Sequence, residues 1–234
     1  MVAYPGRGVD LTREHQSQAA LPAVAPFSGA VLTGGASRRM GRNKALLRIA
    51  GRPLAVVVAD AIVAAGADRV VAVGGDGTAL AAEGLTVVAD WYPGEGPLGG
   101  ILTALGHFED SNRPVAVLAC DLPAADPRNV TGTVEALIDL DGPAVAVPVV
   151  DGRRQWMHAS WTLATAPLLS AVYADGERAT WRAAEVLVRS GLRILEVDGS
   201  VPTGFRDVDQ PSDLSSDRWP HGISEEPGDP ETGR

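Results

Sequence analysis

Residues 29–44 read Gly29-Ala30-Val31-Leu32-Thr33-Gly34-Gly35-Ala36-Ser37-Arg38-Arg39-Met40-Gly41-Arg42-Asn43-Lys44. The apolar start predicts a buried strand, and the paired glycines let the backbone that follows approach an anion closely. Cations come next, and among them Arg38, Arg39 and Lys44 offset the charge of a phosphate chain. The segment therefore predicts an anion site after a first strand, with a tight turn and solvated cations as the alternative. It matches neither a Walker A loop nor a dinucleotide fingerprint.

Apolar runs rich in Val and Ala alternate with helical patterns along the chain. Continuous apolar strands indicate a sheet covered on both faces, and strand-helix repetition indicates mostly parallel strands. The predicted strands are Gly29 to Leu32, Val70 to Val73, Thr86 to Ala89, Val115 to Ala119 and Val145 to Val149, and the predicted helices are Pro53 to Ala65, Leu98 to His107, Pro127 to Leu140, Ala166 to Tyr173 and Arg178 to Ser190. The fold class is therefore α/β, a three-layer, mostly parallel, doubly wound (Rossmann-like) sheet, with ligands expected beyond the carboxyl ends of its strands.

Composition bounds the domain organisation and the partners. The 234 residues are 45% hydrophobic and 21% charged, which suits one α/β domain at 28–214 between a disordered leader, 1–27, and a disordered acidic tail, 215–234. The formal net charge of -9 argues against nucleic-acid binding. A single cysteine, Cys120, fits a reducing cytoplasm, and no apolar run is long enough to predict a membrane span.

Two further loops carry unusual chemistry. In Asp90 to Gly100, repeated Gly and Pro predict a rigid loop that leads into a helix N-terminus and approaches a ligand. In Val117 to Pro123, an apolar strand ends in one carboxylate, and Asp121 placed there can hold a hard cation such as Mg²⁺. A simple capped turn is the alternative in both places. Cys120 is predicted to pack as a small buried side chain, since no base is evident beside it.

Two acids near the end of the domain stand two positions apart. In an extended segment, Asp207 and Asp209 point to one side while Val208 points into the core. Either carboxylate then joins Asp121 as a second metal ligand, and a surface capping segment is the alternative. His158 is either a satisfied, partly buried residue or a ligand contact.

Leu32-Thr33-Gly34-Gly35, followed by Arg39-Met40-Gly41 and Lys44, resembles the signature of the molybdenum-cofactor guanylyltransferase family (MobA-like nucleotidyltransferases). Later segments match the family in the same order: Pro93 to Gly100 resembles its Pro-Gly-x-Gly-Pro-Leu-x-Gly segment, and Cys120 to Pro123 its Cys-Asp-x-Pro. His158 and Gly176-Glu177-Arg178 match family positions on the pterin side. The resemblance covers Gly29 to Leu214 and implies a sheet of the nucleotide-diphospho-sugar transferase type.

The resemblance implies Mg²⁺-dependent transfer of GMP from GTP to the phosphate of molybdopterin or Mo-molybdopterin, with release of pyrophosphate. Lys44, Arg39 and Asp121 are then catalytic, and the metal is held by Asp121 with Asp207 or Asp209. The family positions that contact the nucleotide are Leu32, Thr33, Gly34, Gly35, Lys44, Asp90 and Asp121, and those that contact the second substrate are Gly96, Pro97, Leu98, Gly99, His158 and Arg178. Transient contact with molybdenum-cofactor enzymes is also implied.

The chain departs from the family at two places. Asn43 replaces an acid that would orient the lysine, and Asp207 and Asp209 replace asparagines, as in cytidylyl-transferring relatives. The glycine loop and Pro93 to Gly100 favour GTP, the acidic pair favours CTP, and the balance predicts GTP. A sugar-1-phosphate nucleotidyltransferase and a non-enzymatic nucleotide-binding scaffold remain as alternatives.

Overall fold

The computed structural model describes residues 25–35, 43–209, 213 and 223–224. Arg38 and Arg39 lie outside these residues, as do most of the predicted leader and tail. Phe27, the last residue of the predicted leader, is fully buried, so the packed domain begins slightly earlier than predicted. The division into leader, domain and tail otherwise stays a prediction. The helices of the described residues include none long and apolar enough to cross a membrane.

Short strands make up the two sheets of the described structure. In chain order they are β1 (Ser28–Leu32), β2 (Arg48–Ile49), β3 (Arg52–Pro53), β4 (Arg69–Val73), β5 (Val87–Val88), β6 (Val115–Ala119), β7 (Ala144–Val150), β8 (Arg153–Arg154), β9 (His158–Trp161), β10 (Arg193–Asp198) and β11 (Ile223–Ser224). The main sheet has the order β10-β7-β9-β6-β1-β4-β5, and β8 pairs with β7. The sheet is mostly parallel, as predicted.

The antiparallel strand β9 interrupts the parallel order. It pairs antiparallel with both β6 and β7. The connection from β7 runs through a two-residue turn, Asp151-Gly152, in which both residues have positive φ, the geometry of a type I′ hairpin. Because a hairpin reverses the chain without a crossover helix, β8 runs opposite to β7, and β9, further along the chain, pairs with β7 in the same antiparallel direction.

Helices cover the two faces of the main sheet. They are α1 (Leu54–Ala64), α2 (Gly77–Ala82), α3 (Pro97–His107), α4 (Pro127–Glu135), α5 (Ala166–Ala174) and α6 (Thr180–Leu187). Side chains alternate along a strand, and in β1 Ala30 and Leu32 pack in one core cluster with residues of α3, α5 and α6, whereas Val31 packs in another with residues of α1 and α4. The result is the three-layer arrangement predicted from the sequence.

A small second sheet, in the order β11-β2-β3, lies beside the main one. Ile49 of this sheet packs in a cluster with Leu47, Leu54 and Val208. The sequence patterns did not predict this sheet, nor α2 and β10. The two residues of β11 fall within the predicted disordered tail, and they pair antiparallel with β2.

The parallel strands bring the chemically unusual loops to one edge. In the centre of the sheet, Leu32 of β1 is in register with Val73 of β4 and with Ala119 of β6. The segments that follow these three residues therefore emerge side by side. This register is what places the glycine loop next to Asp121.

Candidate active site

The glycine loop is fixed to the end of β4. The backbone amides of Thr33 and Gly34 both donate to the carbonyl of Val73 at 3.0 Å, and the Thr33 hydroxyl donates to the carbonyl of Gly74 at 2.8 Å. The N–H of Gly34 is therefore used within the fold and does not face an anion. Gly35, in contrast, lies beside open space, because a Cβ added there would meet no atom within 4 Å.

Lys44 is held at the start of a short 3-10 turn, Lys44–Leu46. The Asn43 side chain caps this turn by accepting from the amide of Ala45 at 3.1 Å. Asn43 thus fixes the backbone of Lys44 without the ion pair that an acid would provide. The Lys44 ammonium donates to Asp121 Oδ2 at 3.1 Å and to Asp209 Oδ1 at 2.7 Å. Burial lowers the pKa of Lys44, but its two carboxylate partners outweigh that effect and leave the pKa raised, so the side chain stays charged at neutral pH.

The segment from Asp207 to Asp209 has the predicted alternation. Val208 is fully buried, Asp209 meets Lys44, and the amide of Val208 donates to the carbonyl of Asp121 at 3.0 Å. Partial desolvation, together with the negative charges of Asp209 and Asp121, raises the pKa of Asp207. Three carboxylates and one ammonium therefore gather beyond the end of β6, with an excess of negative charge.

These carboxylates fit a hard divalent cation. Within the described part of the chain, no group of three or more His, Cys, Asp or Glu side chains is arranged to hold a metal ion, so Asp121, Asp207 and Asp209 together do not form a metal site by themselves. Mg²⁺, however, is typically bound by one or two carboxylates together with substrate phosphates. Asp121 and Asp209, whose oxygens share one ammonium, are the pair that suits this mode.

Cys120 packs as predicted. It is 9% exposed, and burial, followed by the charge of Asp121, raises the pKa of its thiol to about 12. The thiol is therefore protonated and a poor nucleophile at neutral pH.

Asp90 organises the loop that precedes α3. Its Oδ1 accepts from the amide of Tyr92 at 3.0 Å and from the Thr103 hydroxyl at 3.1 Å, while its Oδ2 faces Gly34, where an added Cβ would lie 3.3 Å away. One carboxylate oxygen is therefore structural and the other is directed at the glycine loop.

A second interaction joins the same loop to α5 and to the segment between α5 and α6. Glu95 accepts from the Tyr173 hydroxyl at 2.7 Å and from Arg178 Nε at 3.0 Å, and the guanidinium of Arg178 lies 3.8 Å from the centre of the Tyr173 ring. The three side chains form what we call the Glu95 clasp. Arg178, expected to contact the second substrate, is instead engaged in this clasp. The backbone of Arg178 also lies against Gly96. The φ of Gly96 is 92°, a value that residues with a side chain rarely adopt.

The site residues line three adjoining clefts. The first has a volume of about 550 Å³ and includes most of the predicted nucleotide contacts; its walls are Leu32, Thr33, Gly34, Gly35, Asn43, Lys44, Ala45, Asp90, Gly94, Gly96, Pro97, Ala119, Cys120, Asp121 and Met157. The second, of about 350 Å³, is lined by Pro97, Ala119, Asp121, Leu122, Gln155, Trp156, Met157, His158, Phe205 and Asp207. The third, of about 570 Å³, adjoins the first at Gly34, Gly35, Asp90 and Gly94. Asp121 lies in the wall shared by the first two clefts.

Two of the predicted substrate contacts, Leu98 and Gly99, do not line the clefts, and a third, His158, is almost completely buried. Leu98 is fully buried in the core, and an added Cβ at Gly99 would lie 2.7 Å from Cβ of Tyr92; neither lines the clefts described above. His158 borders the second cleft, but it is only 2% exposed. Its two ring nitrogens are buried with no hydrogen-bond partner among the described residues, and burial lowers its pKa to about 3. The ring is therefore neutral and packs against Phe205, 4.7 Å between centres.

Several site residues were missed by reasoning from the sequence. Glu95 and Tyr173 form the clasp, and Met157 and Phe205 line the second cleft. In the sequence, Glu95 stands within a Gly/Pro loop, and its distance from Arg178 along the chain gives no signal that the two side chains pair. Met157 had a signal, because it directly precedes a histidine already singled out.

Comparison with known proteins identifies a family and similar sequences. The family model of the MobA-like NTP transferase domain matches residues 29–189. The molybdenum cofactor guanylyltransferase of Rhodobacter capsulatus is 31% identical over 194 residues, which cover 81% of this chain and 93% of that protein. A probable molybdenum cofactor guanylyltransferase of Opitutus terrae is 42% identical over 101 residues, 43% of this chain and 50% of that protein.

A solved structure shares the fold. Molybdopterin-guanine dinucleotide biosynthesis protein A from Archaeoglobus fulgidus has a TM-score of 0.64 and 22% identity, covering 80% of this chain and 94% of that one. The α/β, nucleotide-diphospho-sugar transferase type of fold predicted from the sequence is thereby confirmed.

Proposed function

The chain belongs to the MobA-like NTP transferase family and is a nucleotidyltransferase, and from this premise we propose that it transfers GMP from GTP to the phosphate of molybdopterin, releasing pyrophosphate. Its relative from Rhodobacter capsulatus carries the name molybdenum cofactor guanylyltransferase, and the relative from Opitutus terrae carries the name probable molybdenum cofactor guanylyltransferase. That name implies GTP and molybdopterin as the two substrates, and the clefts suggest where each of them binds.

The observation that carries the proposal is the position of Asp121 between two clefts. A transfer reaction needs its two substrates to meet, and Asp121 lines both the first cleft and the second. Lys44 lies in the wall of the first cleft and contacts Asp121. We therefore place the triphosphate of GTP in the first cleft, the acceptor in the second and the reacting phosphorus beside Asp121.

The third cleft suits the nucleobase. It adjoins the first cleft at the glycine loop and is lined mainly by glycine backbone and by the strand residues Val87 and Val88. Asp90 is the charged side chain in this lining, and its Oδ2 faces the loop. An acceptor oxygen there can receive hydrogen bonds from a ribose hydroxyl or from the N–H edge of guanine.

The residues around the reacting phosphorus act by position and charge. An oxygen of the acceptor phosphate attacks the α-phosphorus, a new P–O bond forms, and the bond to the β-phosphate oxygen breaks as pyrophosphate leaves. Lys44 offsets the charge of the phosphates, and Asp121 and Asp209 are the carboxylates that would hold Mg²⁺. Bound Mg²⁺ supplies a Lewis acid that withdraws charge from the phosphoryl oxygens. A general base is unnecessary, since a phosphate monoester is already ionised at neutral pH.

Three parts of the proposal do not depend on the geometry of the clefts. Arg39 is assigned to the phosphates by the family motif, and it lies outside the described residues. The cytoplasm is the proposed location because the one cysteine is a buried thiol and suits a reducing compartment. From the family resemblance we also propose that the product passes to molybdenum-cofactor enzymes through transient contacts.

Thermal unfolding with each nucleoside triphosphate and Mg²⁺ tests the nucleotide assignment. A ligand that binds the native state raises the unfolding temperature by mass action. We expect GTP to raise it most and the Lys44→Gln variant to lose most of that shift. An equal or larger shift with CTP would favour cytidylyl transfer, because Asp207 and Asp209 are the residues that resemble those of cytidylyl-transferring relatives.

A further inference from the structure

The Lys44 ammonium lies at the position where two carboxylates meet. Asp121 Oδ2 is 3.1 Å and Asp209 Oδ1 is 2.7 Å from the same nitrogen. The Lys44 and Asp121 side chains are 15% and 20% exposed, so solvent screens this contact only in part. The same two carboxylates are those assigned above to the divalent cation.

A metal ion and this ammonium compete for the same oxygens. Mg²⁺ binds carboxylate oxygens at about 2.1 Å, and a second cation at hydrogen-bond distance from those oxygens would repel it. The excess negative charge of the site, which also raises the pKa of Asp207, attracts a cation but is partly neutralised while Lys44 is in place. The ligand-free arrangement therefore weakens metal binding.

Lys44 has room to leave without disturbing the fold. Its backbone is fixed by the Asn43 cap, whereas its side chain is a flexible four-carbon stem. It also lines the first cleft, where the proposed triphosphate offers an alternative anionic partner. The ammonium can thus move from carboxylates to phosphates by rotation of one side chain.

We propose that Lys44 and the divalent cation exchange places: Lys44 occupies the Asp121 and Asp209 carboxylates in the ligand-free protein, and the metal binds there as nucleotide phosphates draw the ammonium away. The exchange rests on the proposed function for the identity of the anion that attracts Lys44. It couples metal and nucleotide binding, and by thermodynamic linkage the coupling is reciprocal. A site without nucleotide then holds little metal.

Metal binding by the nucleotide-free protein tests the exchange. Mn²⁺, which is counted by electron paramagnetic resonance, is titrated into the wild-type chain and into Lys44→Gln. If the carboxylates are available for only a tenth of the time, the apparent affinity is reduced tenfold, so we expect Lys44→Gln to bind Mn²⁺ about tenfold more tightly. Lys44→Arg, which keeps the charge, should bind as weakly as wild type.

Two controls distinguish this exchange from a general effect of removing one positive charge near the site. Arg206→Gln removes the same charge one residue from Asp207, and Arg206 is exposed; we expect its Mn²⁺ affinity to change by less than about twofold, since exposed charges are screened. Adding Asp209→Asn to Lys44→Gln should abolish the gain. Circular dichroism verifies folding, and Lys44→Met gives the same comparison if Lys44→Gln does not fold.

Equal Mn²⁺ affinity of Lys44→Gln and wild type would overturn the exchange, and so would an equal gain in Arg206→Gln. Neither result depends on turnover. If the wild-type chain forms the guanylyl product while Lys44→Gln gains no affinity, the exchange is wrong and the proposed function stands. If affinity rises as expected but no triphosphate is used, the reaction assignment is wrong instead.

Discussion

Lys44 Nζ and Asp209 Oδ1 lie 2.7 Å apart although 165 positions separate them in the chain. Their contact joins the segment after the glycine loop to the segment after β10. The site is therefore completed by residues beyond 29–189, the part that the family model matches. A chain that ended before Asp209 would keep Asp121 but lose one of the two carboxylates that hold Lys44.

Replacing Asp121 should abolish turnover without unfolding the protein. In Asp121→Asn, we expect the rate of Mg²⁺-dependent pyrophosphate release to fall by about two orders of magnitude or more, by analogy with removal of other single charge-stabilising groups. Asp110→Asn, a change at an exposed position, serves as the matched control and should retain full activity. A folded Asp121→Asn variant with near wild-type turnover would argue for a scaffold or for different metal ligands.

Two glycines of the clefts should respond differently to alanine. An added Cβ at Gly75 would lie 2.9 Å from the carbonyl oxygen of Thr33, at a φ of +75°. Such backbone strain costs about 1–3 kcal/mol, so Gly75→Ala should unfold at lower denaturant concentration. Gly35→Ala has open space around the new methyl group and should be as stable as wild type while binding triphosphate more weakly. Equal stabilities of the two variants would contradict the loop geometry.

The Glu95 clasp should contribute stability that depends on pH. Hydrogen bonds from Tyr173 and then Arg178 lower the pKa of Glu95. A lowered carboxyl pKa gives stability that is present above the ordinary pKa and is lost as pH falls through the folded-state value. The difference in unfolding temperature between wild type and Glu95→Gln should therefore be largest near neutral pH and vanish in acid. A difference that persists unchanged in acid would mean that the clasp does not act through the Glu95 charge.

Cys120 should resist alkylation until the protein unfolds. With its pKa raised to about 12, against about 8.5 for a free thiol, the thiolate fraction at pH 8 is reduced by about three orders of magnitude. We expect iodoacetamide to label native protein very slowly and guanidinium-unfolded protein rapidly, followed by mass spectrometry. Because the chain has one cysteine, the added mass reports this site alone. Rapid labelling of the native protein would contradict the burial of Cys120.

The parallel part of the sheet was predictable because its signals are local. Apolar runs ending in Gly34-Gly35 or in Asp121 mark buried strands with functional loops, and the structure places both loops at one edge. The spacing of Asp207 and Asp209 around Val208 also predicted which side chains leave the core. The antiparallel strand β9 was not among the strands predicted from apolar runs, although the Asp151-Gly152 pair carried a hairpin signal.

The remaining features depend on contacts between distant residues. The family resemblance of Gly176-Glu177-Arg178 suggested a substrate contact for Arg178, but its partner Glu95 lies 83 positions earlier. The sequence around His158 did not predict whether its side chain is buried. In the structure it is buried and packs against Phe205, which lies 47 positions later. Such pairings follow from the folded arrangement of the loops and leave no periodic signal in the sequence.

The most direct measurement of the proposed reaction supplies purified protein with Mg²⁺, molybdopterin and an equimolar mixture of GTP, CTP, ATP and UTP, and identifies the product by mass spectrometry. The proposed function predicts a molybdopterin guanine dinucleotide, with one pyrophosphate released for each product formed. A product made from CTP alone, or no nucleotide transfer by folded protein, would contradict it.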